Sequence, residues 1–126
     1  MDNEMKIADL AKAWIGEISQ NDGVVDPLRP SEFADSLDKH IYNNAEFAWS
    51  VIKTISASPM SEWATENFSA GPLTSFISRN HGEFADKTRS LYDESAIFRE
   101  HIEGVIFLDD LRLIFGDNFQ FLGRHT

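Results

Sequence analysis

Cysteine is missing from this 126-residue chain. Its absence excludes a disulfide framework, a thiol nucleophile and every zinc site that needs thiolate ligands. Long apolar runs are missing too: nowhere do about 18 apolar residues follow one another, so no segment reads as a transmembrane helix. The start, Met1 to Lys6, has neither the basic residues nor the apolar run of a secretory signal, and a cytoplasmic protein is expected. Basic residues are scarce, with 11 Lys and Arg against 21 Asp and Glu, which leaves a net charge of −10. A surface of that sign repels phosphates and anionic lipid, so neither direct nucleic-acid binding nor membrane binding is expected. The seven glycines are scattered and form neither G-x-G-x-x-G nor G-x-x-x-x-G-K-[ST], which removes the common nucleotide-binding loops and any implied cofactor.

What the chain does contain is enough apolar material for one core. Hydrophobic residues make up 42%, with ten Phe and three Trp, and at this length a single domain over residues 1–126 is the default. The acid excess is uneven: up to Glu66 there are 12 acids and five bases, net −7, and beyond it nine and six, net −3. The first half therefore carries most of the negative field. That field either keeps the protein dispersed or offers a face to a basic partner.

Helical periodicity runs through almost the whole sequence. Ile7, Ala11, Trp14, Ile15 and Ile18 share a face in a first helix from about Asn3 to Ser19. Asn21-Asp22-Gly23, Pro27 and Pro30 make residues 20–30 a loop. Ser31 reads as the N-cap of a second helix to about Tyr42 with Phe33, Leu37 and Ile41 inward, and Phe47, Ala48, Val51, Ile52 and Ile55 define a third that stops before Ser58-Pro59. Ser61 opens a short fourth helix with Trp63, Ala64 and Phe68. Gly71-Pro72 is expected to close it and open the next, and His81-Gly82 to end that one. Phe84, Thr88, Leu91 and Tyr92 continue in register, Asp93-Glu94-Ser95 interrupts, and Ile97, Phe98, Ile102, Val105 and Ile106 resume. From Phe107 onward there are too many apolar residues for one helix face. A last helix from Asp109-Asp110 to Gly116 is expected, with Phe119 to Leu122 either laid over the core or forming an exposed interaction patch. The expected fold is all-α, one compact domain of about six to seven short helices packed as antiparallel hairpins.

No catalytic constellation emerges. His40, His81, His101 and His125 belong to no strong motif. His40 with Ser36, Asp35 and Asp38 cannot form a nucleophile, base and orienter from within one helix. His81 beside a helix end reads as a capping group. Glu100, His101 and Glu103 lack any metal-binding spacing, so neither a metal nor an enzymatic role is expected. Arg79, Lys87, Arg89 and Arg99 form a locally basic stretch that can pair with acids of the same molecule, and Trp14, Trp49 and Trp63 read as core.

Several strings together carry a resemblance. They are Ala13-Trp14-Ile15, Glu46-Phe47-Ala48-Trp49-Ser50-Val51-Ile52, Ala70-Gly71-Pro72-Leu73, His81-Gly82-Glu83-Phe84 and the run from Phe98 to Phe107. In order and spacing they resemble a small bacterial domain family of unknown function marked by A-W, A-W-x-x-I, A-G-P-L, H-G-x-x-F and G-V-[WIF] elements, over about residues 8–107. The resemblance implies a helical fold and a bacterial or mobile-element origin, brings no activity and no catalytic residues, and leaves the aromatic tail 108–126 outside.

The expected function is that of a small acidic binding protein of immunity or inhibitor type, which neutralises a basic bacterial toxin or nuclease by direct contact. Its contact residues are expected in the loop and second helix: Asp22, Asp26, Glu32, Asp35 and Asp38. The alternatives are a phage or mobile-element inhibitor that mimics acidic nucleic acid against a defence complex, and an oligomeric structural or adaptor protein that uses the aromatic tail.

Overall fold

The computed structural model describes residues 6–20, 32–105 and 108–116, and every regular element among them is helical. In chain order these are α1 (Ile7–Gln20), α2 (Glu32–Asn43), α3 (Ala45–Ser56), α4 (Glu62–Phe68), a π-helical turn (Ser69–Leu73), α5 (Thr74–Glu94), α6 (Ala96–Glu103) and α7 (Leu108–Phe115). The all-α reading holds. Asp22, Asp26, the expected N-cap Ser31, Ile106, Phe107 and the segment with Phe119, Phe121 and Leu122 lie outside the described residues.

Short polar residues set several of the boundaries. Ser61 Oγ accepts the Ala64 amide at 3.1 Å and Ser95 Oγ accepts the Phe98 amide at 3.1 Å, each satisfying a donor that the first turn of a helix leaves unpaired. Gly116, at φ 100°, ends α7 in a left-handed conformation that a side chain would resist.

Of two expected breaks, one is continuous helix and the other is displaced by two residues. The helix passes from α4 through Gly71-Pro72 into α5, with Phe68, Ser69, Leu73 and Thr74 all in right-handed helical conformation. Proline has no N–H for the carbonyl four residues back and its ring crowds that carbonyl, and the widened π turn relieves the clash. Thr74 Oγ1 donates to the Ser69 carbonyl across it at 2.6 Å. Gly82 likewise sits inside α5 with no positive φ. The bend comes at Phe84 (φ −108°, ψ 16°), where the Thr88 hydroxyl donates back to the Phe84 carbonyl at 2.8 Å.

One contiguous apolar core joins all these helices. Trp49 of α3 stands at one focus: its ring lies 5.4 Å from Phe76 and 6.0 Å from Phe84, and it meets Phe98 edge-on at 6.2 Å. Trp14 and Phe68 form a second focus, edge-on at 6.0 Å. Helix α1 packs on α3 and α2, α2 also packs on α3 and α5, and α7 lies along α5. The faces read from periodicity are largely those buried, with three differences. Trp63, read as core with Trp14 and Trp49, is only partly buried and lies outside the core cluster. Leu10 is part of the core, and Ile97, expected inward, is 43% exposed because α6 turns Phe98 and Ile102 to the core instead. Leu113 of α7 is 65% exposed, between the buried Leu111 and Ile114, as a helix with too many apolar residues for one face requires. Among the described residues no helix is long and apolar enough to cross a membrane.

Candidate functional site

The most informative concavity is an open groove of about 310 Å³ where α1, α2 and the α4–π–α5 helix meet. Its floor is core: Trp14 from α1 and Leu37 and Ile41 from α2 are all buried. Ile18, Ala34, Gly71 and Pro72 form apolar walls, the last two contributed by the π turn. Its polar members are Asp35, Asp38, Asn67 and Ser75, and among the described residues no Lys, Arg or His lines it.

Helix α2 places these carboxylates. Leu37 and Ile41 fix the buried stripe, so Glu32, Asp35 and Asp38, spaced three apart, fall on a common exposed stripe beside it. None of the three has an ion-pair partner among the described residues. Of the five residues singled out from sequence, Asp35 and Asp38 come together on the groove, Glu32 lies one turn away on the same helix outside it, and Asp22 and Asp26 are outside the described residues.

Glu17, which the helical wheel of α1 places away from the core, has a structural task. Its Oε2 accepts the Phe33 amide at 3.2 Å and its Oε1 accepts the Ala34 amide at 3.1 Å. A carboxylate from the end of α1 therefore closes the N-terminus of α2, where free donors and the helix dipole favour negative charge. Trp63 performs a related service: its indole N–H donates to the Ile18 carbonyl at 3.2 Å, near the C-terminus of α1. These three bonds fix α1 relative to α2 and α4, and so fix the groove walls. The basic stretch is used internally. Lys87 pairs with Glu46 at 3.2 Å, Arg89 reaches Asp86 and donates to the Ile114 carbonyl at 2.7 Å, and Arg99 donates to the Tyr92 carbonyl at 2.8 Å.

His101 is buried, 1% exposed, and its Nδ1 lies 2.7 Å from Ser56 Oγ, with the Phe68 ring edge-on at 5.1 Å. Burial pushes its pKa below the ordinary histidine value, with Glu100 opposing the shift. A serine and histidine at this distance resemble a nucleophile and its base, but both are buried, neither lines the groove, and among the described residues no carboxylate is hydrogen-bonded to the ring. The pair satisfies polar groups inside the core. His101 follows Phe98 by three residues and precedes Ile102, and that spacing was the sequence signal for its inward position. The His40 ring lies 4.3 Å from that of Phe47, tilted by 35°. His81 Nδ1 bonds the Ile77 carbonyl at 3.0 Å inside α5, not at a helix end. Among the described residues no three His, Asp or Glu side chains converge in a metal-binding arrangement.

Comparison with protein-family models, curated proteins and solved structures gives no match, so the motif resemblance contributes no family assignment and the site rests on its own geometry.

Proposed function

We propose that the protein is a binding module that meets a basic protein partner through the exposed stripe of α2, in the manner of an immunity or inhibitor protein that occupies a bacterial toxin or nuclease. The observation that carries this reading is the pair Asp35 and Asp38, free of ion-pair partners among the described residues and set beside an apolar groove. Interfaces that are both selective and tight combine an apolar centre with a polar rim. The net charge of −10, weighted toward the first half of the chain, adds a long-range field that speeds encounter with a cationic partner.

Zero-length carbodiimide cross-linking in an extract of the native host tests this directly, because it joins carboxylates only to amines in contact. Lysine-containing peptides of one partner are expected on Glu32, Asp35 or Asp38, fading as salt is raised, and absent from an E32Q/D35N/D38N variant. Cross-links that are indifferent to salt, or that map to α5 and α7 while the triple variant captures normally, would show the reading to be wrong.

A further inference from the structure

Resting on the reading that α2 faces a basic partner, we propose that the groove beside Asp35 and Asp38 is an arginine pocket. It takes one arginine side chain of the partner, with the methylene stem against the apolar walls and the guanidinium between the two carboxylates.

Charge selects a cation first. Among the described residues two carboxylates and no basic side chain line the groove, so phosphate groups and acidic peptides are repelled from it. The apolar walls then select among cations. Ile18, Ala34 and Pro72, which are only partly buried, would stay uncovered beneath a hydrated metal ion, whereas the stem of a long basic side chain lies along such a surface while its head remains at the rim. Arginine fits better than lysine because a guanidinium is more weakly hydrated than an ammonium and presents five donors in a planar fork.

The rim matches those donors. Residues three apart on a helix have Cβ atoms about 5–6 Å apart, a gap that a guanidinium between Asp35 and Asp38 can bridge. Asn67 already spends its Nδ2 on the Trp63 carbonyl at 2.8 Å, which leaves its Oδ1 as an acceptor on the same rim. Capacity agrees as well. A groove of about 310 Å³ is at the low end for ligand pockets, which span roughly 300–1,000 Å³, and so suits one side chain better than a large organic molecule. Its wall includes the π turn, and single π turns inside helices recur at functional sites.

The test is an NMR titration of the isotope-labelled full chain with N-acetyl-arginine-N-methylamide. The lysine analogue and the neutral, near-isosteric citrulline analogue run in parallel. The arginine probe is expected to saturate in the millimolar range, shifting the Trp14 indole and the Leu37 and Ile41 methyl signals. Citrulline should bind about tenfold more weakly and lysine several-fold more weakly, and D35N/D38N should weaken the arginine probe about tenfold while its circular dichroism spectrum stays that of the folded chain. Equal binding of citrulline, equal binding of lysine, no saturable shift, or shifts confined to Trp49 would each overturn the proposal. Its failure is separable from that of the functional reading. Host cross-links on α2 without arginine binding would sink the pocket alone, and arginine binding without a host partner would sink the partner reading alone.

Discussion

Replacing Glu17 by alanine removes the carboxylate that closes the N-terminus of α2, and the structure allows the cost to be worked out. Phe33 and Ala34 are the second and third residues of α2, and their amides are among the donors that a helix cannot satisfy internally. Losing an N-cap acceptor costs roughly 0.5–2 kcal/mol, and losing a negative charge near the positive end of a helix a further ~0.3–1 kcal/mol. Glu17 is only partly buried, so water recovers some of both, and about 1–2 kcal/mol is expected for E17A. E17Q keeps one acceptor oxygen and loses the charge, and should cost about half as much. For a chain of this length that corresponds to a fall in Tm of roughly 4–8 °C for E17A. Urea unfolding followed by circular dichroism, with an unchanged m value, measures the energy. Amide exchange should quicken at Phe33 and Ala34 before it does in the middle of α2. An E17A effect inside the roughly 0.5 kcal/mol typical of plain surface substitutions would refute the capping role.

Further outcomes follow from the core. A Cβ added at Gly104 would lie 2.6 Å from Ser69 Cβ, so G104A is expected to cost ~1–3 kcal/mol; adding S69G should recover part of the loss, a non-additivity that a double-mutant cycle detects. His101 has a depressed folded pKa, so below the unfolded value of about 6.5 the unfolded chain takes up a proton that the folded chain refuses. Its contribution to stability is therefore complete above that pH, falls as the pH drops toward the folded pKa and then levels off; urea midpoints across a pH series should show this slope in the wild type and not in H101Q. S56A leaves the buried ring without its partner and should cost roughly 1–3 kcal/mol by the same assay. Truncating Trp49 to alanine empties the aromatic focus shared with Phe76, Phe84 and Phe98, and a loss of ~3–5 kcal/mol is expected in calorimetry, a large share of the stability of a typical domain.

The sequence by itself determined the helical class and most of the inward faces, because the 3.6-residue period of Leu37 and Ile41, or of Phe98 and Ile102, is a local property that burial then exploits. Caps such as Ser61 and the stop at Gly116 were legible for the same reason: the group and the donor or turn it serves lie within a few residues of each other. Tertiary structure decided whether a break signal was obeyed. Gly and Pro inside a helix cost about 1 and 3 kcal/mol, yet Leu73, Phe76 and Ile77 pack into the core and Ser69 packs against Gly104, so continuity through Gly71-Pro72 is kept at the expense of one widened turn. Tertiary structure also decided the site. The acidity of Asp35 and Asp38 was visible in the chain, but the groove they border is built by three helical segments. Glu17 meets α2 across 16 and 17 residues, and Ser56 meets His101 across 45. Periodicity reports which face of a helix is buried. Which partner that face meets is settled only when loop closure and side-chain packing bring distant segments together.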